Sequence, residues 1–174
     1  MKEDTGVFDA LKRRRTTRLF TPDPIPSEVL ARLLYAARRA PTGGHVDTRR
    51  FIIVTDKNLI EMIRKASPGF YGSCPALLVI CTDVSAAEGD TTAIFDAGAS
   101  AENIALAATA MNLGVGFVKS YPEIAVKKIL SIPDGVRTEI IVKLGYRQPD
   151  QPKAPQTLKS PAHLNQYGAP FEET

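Results

Sequence analysis

A short basic run near the start of the chain is the segment best suited to chemistry. Lys12, Arg13, Arg14, Arg15 and Arg18 place five cations within seven residues, with two threonine hydroxyls among them. Close like charges repel one another, so this basic run (residues 12–18) predicts an anionic group beside it. Arginine presents a planar fork of donors that suits phosphate oxygens, and a threonine hydroxyl can add a further hydrogen bond. The run is therefore a candidate phosphate site.

Two other interpretations of the basic run stay open at the level of the residues. One is the solvated end of a surface helix, which needs no ligand. The other, nucleic-acid binding, is weaker because no aromatic residues interleave the cations and no second basic cluster reinforces them. The net charge of +3, from 22 basic and 19 acidic residues, is also too small to argue for a nucleic-acid or membrane partner.

Two glycine-containing segments could bring backbone close to a ligand. The first, the glycine loop, is the sequence PTGGH at residues 41–45. It has no Lys-Ser/Thr ending and no preceding strand, so it is neither a P-loop nor a dinucleotide fingerprint. The second is the sequence LGVG at residues 113–116, and such glycines most often serve a helix-to-strand turn.

Metal and thiol chemistry are not predicted. The two histidines, His45 and His163, have no second His or Cys at metal-ligand spacing. The two cysteines, Cys74 and Cys81, lack a Cys-x-x-Cys spacing, and Cys81 falls within an apolar run. We therefore expect two buried thiols and no metal site.

Length and composition predict one globular domain over residues 1–174. The chain has 44% hydrophobic and 24% charged residues, which is ordinary for a folded protein. No stretch approaches the roughly 20 apolar residues that a membrane span requires, and the first residues carry no apolar signal region. The sequence therefore predicts a cytoplasmic protein.

Hydrophobic periodicity predicts alternating helices and strands, which indicates an α/β or α+β sandwich with helices covering a central sheet. The predicted helices cover residues 7–14, 27–39, 56–66, 93–112 and 123–130, and the predicted strands cover residues 51–55, 76–82, 115–118 and 137–144. In the last strand, alternation predicts that Thr138, Ile140, Val142 and Leu144 share one face. Residues 76–82 are continuously apolar, as in a strand buried on both faces. The helix at 93–112 is alanine-rich and apolar nearly all round, which predicts burial and close helix packing. After Tyr146, repeated prolines predict a loose tail or an arm laid on another surface.

Taken in order, several segments resemble the FMN-dependent nitroreductase family across nearly the whole chain. The segments are ALKRRRTTRLF (10–20), AARRAPTGGH (36–45), RFIIVTD (50–56), DAGASAENIALAATAMNLGVG (96–116), ILSIPDGV (129–136), KLGYRQP (143–149) and HLNQYGAPF (163–171). They are similar to the family's Arg-Arg-Ser-x-Arg-x-Phe opening, its Ala-Pro-Ser-Gly loop and following strand, its central helix with a Leu-Gly-Leu-Gly exit, its Ile-Pro-Glu-Gly turn, its Gly-Tyr-Pro segment and its C-terminal arm. The order carries more weight than any single motif.

The resemblance implies a nitroreductase-like α+β fold, a central mixed sheet flanked by helices, in an intertwined homodimer. In that family the central helix pairs with its mate and the C-terminal arm wraps the other subunit. It also implies that residues 147–174 form an extended arm. Two equivalent flavin sites would then lie at the dimer interface.

The resemblance also assigns site residues. Arg14, Arg15 and Thr16 would hold the FMN phosphate and ribityl end, and Arg18 would lie near the pyrimidine edge of the flavin. Pro41, Thr42, Gly43 and His45 would approach the same flavin from the partner subunit. Lys119 and Ser120 fall where the family's backbone approaches the reactive N5 atom. A basic tail side chain usually completes the phosphate site, with Lys153 as the first candidate and Lys159 behind it.

The implied activity is an FMN-dependent NAD(P)H oxidoreductase. Hydride from NADH or NADPH would reach flavin N5 and pass to a small acceptor, a nitroaromatic or a quinone, in a ping-pong cycle. No side chain is expected to act as a nucleophile or general acid. Three residues depart from the family's loop pattern: His45, Asp47 and Arg49 stand at its usual Asn, Gln and Trp.

Two alternatives stay open. One, which these departures motivate, is a flavin-binding relative with another task, such as dehalogenation, flavin fragmentation or flavin carriage. The other is a flavin-free dimeric interaction module.

Overall fold

The structure is a computed structural model, and it describes residues 6–84, 92–149 and 162–171. The helices are α1 (Val7–Arg13), α2 (Ser27–Arg38), α3 (Lys57–Ala66), α4 (Ala93–Ala110) and α5 (Glu123–Ile129), and a short 3-10 turn spans Gly43–His45. The strands are β1 (Arg49–Val54), β2 (Ala76–Asp83), β3 (Gly114–Val118) and β4 (Val136–Gly145). The periodicity thus predicted the type and order of each of these nine helices and strands.

The four strands form one sheet in the order β1-β2-β4-β3, with each neighbouring pair antiparallel. Parallel pairing enters through the isolated bridge between Thr16 and Val115, beside the edge strand β3. Helices α2 and α4 contact one another and cover one face of the sheet, and α3 and α5 lie on the other. The predicted α+β class is confirmed.

Strand β2 forms the centre of the sheet, as its continuous apolar run predicts. Residues 76–82 are all buried, and β2 pairs with β1 on one side and β4 on the other. Leu78 and Ile80 pack toward α2 and α4, while Leu77 and Val79 pack toward α3 and α5. An apolar residue at every position is what burial on both faces requires.

Strand β4 departs from simple alternation. Ile140, Val142 and Leu144 share one face as the pattern predicts, and they pack with the α2/α4 cluster. Thr138 does not share this face: the register shifts between Ile80 and Cys81, which pairs Thr138 with Cys81 on the opposite side. A bulge adds one residue to a strand and so reverses the facing of the residues beyond it, which sequence alternation cannot show.

Helix α4 is buried along one face within the chain and not all round. Ala97, Ala101 and Ala108 face the core, whereas Ile94 is 65% exposed and Phe95 68% exposed. Its apolar composition therefore exceeds what a single chain buries. Beside it, α2 and α4 leave an apolar depression of about 560 Å³.

In the last part of the chain, the structure describes residues 147–149 and 162–171. Residues 162–171 are exposed. The single-domain organisation and the arm over residues 147–174 stay predictions. Among the described residues, no helix is long and apolar enough to cross a membrane.

Candidate functional site

The basic run leaves α1 and lies along the edge of the sheet. Helix α1 ends at Arg13, one residue before the predicted end, because Arg14 turns to an extended conformation. Thr16 then bridges Val115 of β3, and the Thr17 N–H donates to the Val115 carbonyl at 2.7 Å. A Cβ at Gly116 would lie 2.5 Å from the Thr17 carbonyl oxygen, so glycine is required for this close approach.

The cations of the basic run differ in their partners. Arg13 pairs with Asp9 at 3.1 Å and donates to the Thr109 carbonyl at 2.7 Å. Arg14 pairs through Nε with Glu102 on α4 at 3.3 Å, and both side chains are partly exposed. Arg15 is exposed and pairs with no carboxylate among residues 6–84, 92–149 and 162–171. Arg15 is thus accessible to an external anion.

Arg147 joins this cluster, although no sequence motif points to it. A Cβ at Gly114 would lie 2.8 Å from both Arg147 Cγ and Thr17 Oγ1. Arg147 donates through one terminal nitrogen to the Leu113 carbonyl at 3.3 Å, while its buried Nε has no partner in the described structure. Burial lowers the pKa of Arg147, and the charges of Arg15 and Arg13 lower it further. Three arginines therefore share one corner of the fold.

The position of Arg147 beside the basic run could not be predicted from the sequence, because it depends on pairing between distant segments. Residues 19–21 run antiparallel to residues 146–148: Phe20 bridges Arg147, and the Thr21 N–H donates to the Tyr146 carbonyl at 2.9 Å. Only this pairing brings position 147 beside the basic run. Local periodicity carries no signal for it.

Arg18 is exposed and lies near a second cation, Lys143 on β4. Lys143 is 3% exposed, and its Nζ donates to the Tyr71 carbonyl at 2.6 Å. Burial lowers the pKa of Lys143, the charge of Arg18 lowers it further, and the nearby Cys74 thiol acts in the opposite direction. The Arg18 end of the basic run is thus also cationic.

Lys119 and Ser120 follow the other end of β3. At about 3.3 Å per residue, the four residues from Val115 to Lys119 span roughly 13 Å. The Lys119 Nζ donates to the Glu139 carbonyl at 2.5 Å, and the Ser120 carbonyl accepts the Gly69 N–H at 3.1 Å. Strand β3 therefore separates the predicted phosphate end from the predicted N5 end.

The glycine loop packs against the start of α4. The Gly43 N–H donates to both carboxylate oxygens of Asp96 at 3.1 Å, and Asp96 is fully buried. A Cβ at Gly43 would lie 2.0 Å from Thr92 Oγ1. Pro41 is exposed and Thr42 partly exposed, and the side chain of His45 lies outside the described structure. The loop therefore has a fixed backbone and an accessible outer face.

Arg49 explains one departure from the family pattern. Its side chain is 1% exposed and pairs with Asp47 at 2.9 Å. One terminal nitrogen donates to the Ala40 carbonyl at 3.2 Å and to Ser100 Oγ at 2.8 Å. Arg49 thus connects the end of α2 to α4 through hydrogen bonds. These bonds fix the position of the backbone just before the glycine loop. Its role is structural, and Asp47 is its counter-ion.

Both cysteines are buried, as predicted. Burial raises the pKa of Cys74 to about 11 and the pKa of Cys81 to about 12. Because the thiolate is the reactive form, neither side chain is a nucleophile at neutral pH.

A model of the nitroreductase family matches residues 11–70 and 64–146. The chain belongs to this family. A protein of Archaeoglobus fulgidus named "Putative NADH dehydrogenase/NAD(P)H nitroreductase" is 31% identical over 143 residues, covering 76% of this chain and 80% of that protein. The iodotyrosine deiodinase of Thermotoga neapolitana is 27% identical over 184 residues, covering 86% of this chain and 93% of that protein.

Solved nitroreductase structures show the same fold. An FMN-dependent nitroreductase from Clostridium difficile superposes with a TM-score of 0.82 at 25% identity, covering 92% of this chain and 99% of that chain. The family resemblance identified from the motifs is therefore confirmed. Membership of the nitroreductase family supports an oxidoreductase activity for this chain.

Within one chain of this nitroreductase fold, the predicted site residues form two separate groups. The basic run lies beside the C-terminal half of α4, where Arg13 reaches the Thr109 carbonyl. The glycine loop contacts Asp96 in the first turn of that helix. Asp96 and Thr109 lie about 20 Å apart along the helix axis at roughly 1.5 Å per residue. The predicted tail residues, Lys153 and Lys159, lie outside the described residues.

Proposed function

We propose that this protein is an FMN-dependent NAD(P)H oxidoreductase that reduces small nitroaromatic or quinone acceptors. The observation that carries the proposal is the cationic corner formed by Arg13, Arg15 and Arg147 beside the glycines of β3. Arg15 and Arg147 pair with no carboxylate in the described part of the chain, and Thr17 Oγ1 and Arg147 Nε are buried without a partner. Such a corner suits a dianionic phosphate.

The phosphate end of FMN fits this corner better than a neutral ligand does. Each hydrogen bond between a charged donor and a charged acceptor contributes about 1.5–3 kcal/mol. Burial and, to a smaller extent, the charges of Arg15 and Arg13 lower the pKa of Arg147, and a bound phosphate would offset the repulsion among these arginines. Arg14, Arg15 and Thr16 would then hold the phosphate as the family resemblance implies, with Arg147 in the place that the resemblance gives to Lys153.

The rest of the flavin would follow β3 toward Lys119 and Ser120. The roughly 13 Å between Val115 and Lys119 suits the extended length of a ribityl chain with a ring system. Arg18 would face the pyrimidine edge, where a fixed cation stabilises negative charge. Bound FMN supplies the hydride-transfer chemistry, and the residues of this chain bind it, orient it and set the local charge.

We propose a homodimer as the functional unit. The resemblance to the nitroreductase family implies an intertwined homodimer. In this chain, α4 exposes Ile94 and Phe95, and α1 exposes Val7 and Phe8, each by more than half. A second copy would cover these apolar surfaces. It would also bring its glycine loop, including Pro41, Thr42, Gly43 and His45, to the flavin site, which explains why one chain keeps the two groups apart.

A titration with FMN and riboflavin tests the proposal, because riboflavin lacks the phosphate. We expect the wild-type protein to bind FMN, with flavin absorption bands retained after dialysis. An Arg15→Ala, Arg147→Ala double variant should bind FMN about a hundredfold more weakly, at about tenfold per arginine, and bind riboflavin as the wild type does. The matched control is Arg50→Ala, Arg64→Ala, which removes two surface arginines that pair with carboxylates elsewhere.

The outcomes separate the candidate functions. A wild-type protein that takes up no FMN would refute the flavin proposal. Salt-dependent DNA binding by that protein would then favour an interaction module. FMN binding followed by NAD(P)H oxidation with a nitroaromatic supports the oxidoreductase. FMN binding with halide release from a halogenated tyrosine, and no turnover of nitroaromatics, would favour the dehalogenase alternative that the Thermotoga neapolitana relative suggests.

A further inference from the structure

Lys143 is a buried cation without a carboxylate partner among the described residues, and the proposed mechanism does not use it. It lies on β4 within the core that faces α3 and α5. Its Nζ lies 5.4 Å from the Phe20 ring centre and 5.1 Å from the Phe70 ring centre. A buried ammonium group without a counter-charge lowers the stability of a fold, so a lysine kept at such a position calls for a functional explanation.

Two glycines lie between Lys143 and the backbone of the basic run. The first is Gly116: a Cβ there would lie 3.1 Å from Lys143 Cε and 2.5 Å from the Thr17 carbonyl oxygen. Lys143 and Thr17 therefore both approach this glycine closely. A side chain at position 116 would separate them.

The second glycine, Gly72, lies in the loop before β2. The Lys143 Nζ donates to the Tyr71 carbonyl at 2.6 Å. The next residue, Gly72, has a φ of +72°. A Cβ at Gly72 would lie 2.7 Å from the Arg18 carbonyl oxygen. Lys143 thus fixes the position of the loop that packs against the Arg18 carbonyl.

We propose that Lys143 is a positioning residue for the flavin site: it holds the backbone of Thr17 and Arg18, so that the Arg18 guanidinium faces the flavin. This inference rests on the proposed function. Lys143 acts through Arg18 and does not itself touch the cofactor. It destabilises the cofactor-free protein and is retained for the site it supports.

A double-mutant cycle with Arg18 tests this role. Lys143→Met keeps most of the side-chain stem and removes the charge and the hydrogen bond. We expect it to weaken FMN binding about tenfold in the wild-type background and to have no further effect in an Arg18→Met background, since residues that act as a unit are not additive. The cofactor-free variant should unfold at the same denaturant concentration as the wild type or a higher one. The midpoint potential of bound FMN should fall in both single variants.

Lys127→Met is the matched control, because the Lys127 Nζ also donates to a loop carbonyl, that of Asp134, at 3.0 Å. It should leave FMN affinity and potential unchanged. If Lys143→Met does not fold, Gly72→Ala is the second variant, because its Cβ disturbs the same contact with Arg18.

Three results would overturn the inference. FMN affinity unchanged in Lys143→Met refutes it while the proposed function stands. Losses that add to those of Arg18→Met, or that parallel a loss of stability in the cofactor-free protein, show a merely structural lysine. A wild-type protein without FMN affinity refutes the proposed function itself.

Discussion

Charged side chains lie within the basic run and around the glycine loop, but the two regions use them differently. Around the loop, Arg49 and Asp96 have partners within the chain: Arg49 bonds Asp47 and Ser100, and Asp96 accepts the Gly43 N–H. In the corner by the basic run, Arg15 and Arg147 have no carboxylate within the described ranges. Buried, fully bonded charges fix the shape of a backbone, whereas accessible uncompensated charges of one sign indicate a ligand.

This difference separates stability from binding. Removing a charge near the loop should change the free energy of unfolding, because its partners lose their hydrogen bonds. Removing a charge near the basic run should change anion affinity and leave the fold intact. Substitutions in each region can therefore test whether the two sets of charges have different roles.

The largest effect is expected for Arg49→Met, which should lower the free energy of unfolding by about 3 kcal/mol. The change leaves the Ala40 carbonyl and the buried Ser100 hydroxyl without their shared donor. Urea unfolding measures it, with Arg50→Met as the control: Arg50 is half exposed and pairs with Asp83, so its loss should stay below about 1 kcal/mol. Equal losses in the two variants would remove the distinction between buried and surface charge.

A smaller effect, on binding, is expected for Glu102→Gln. Glu102 pairs with Arg14 at 3.3 Å and adds negative charge beside the proposed phosphate site. Removing that charge should tighten FMN binding about two- to fivefold at low salt, since exposed ion pairs contribute about 0.2–1 kcal/mol. The gain should shrink as salt rises.

Glu61→Gln provides the comparison for that experiment, because Glu61 pairs with Arg64 on α3, away from the basic run. It should leave FMN affinity unchanged. Weaker FMN binding by Glu102→Gln would mean that the Glu102 contact holds Arg14 in its binding position and does not compete with the ligand.

The sequence predicted most of the fold because most of it depends on local pattern. The continuous apolar run of β2 and the alanine-rich α4 each fix an element without reference to the rest of the chain. The face of Thr138 was predicted wrongly because a bulge depends on the partner strand. The exposure of Ile94 and Phe95 was also not predicted, since composition does not distinguish a helix that is buried all round from one that is exposed along one face.

The candidate site was predicted only where one segment supplies it. The basic run and the glycine loop are contiguous motifs, and the structure places them as two separate surfaces. Arg147 and Lys143 lie near the basic run through pairing between distant segments, and each is one cation in or beside an otherwise ordinary strand. Long-range pairing of this kind leaves no periodic signal.

The smallest effect is expected for Asp47→Asn and concerns pH. The hydrogen bond from Arg49 holds the pKa of Asp47 below its ordinary value of 3.8. A carboxyl whose pKa is lowered by folding adds stability above its unfolded-state pKa, and that stability is lost as pH falls through the folded-state pKa. Because Asp47 is 54% exposed, the contribution at neutral pH should be only a few tenths of a kcal/mol.

The wild type and Asp47→Asn should therefore differ slightly in urea unfolding at pH 7 and converge as the pH falls below 3.8. Asp23→Asn, at a surface carboxyl with no ion pair among the described residues, is the control. A difference that persists in acid would mean that the charge of Asp47 does not stabilise the loop. Arg49 would then hold the loop through Ala40 and Ser100, without a contribution from the charge of Asp47.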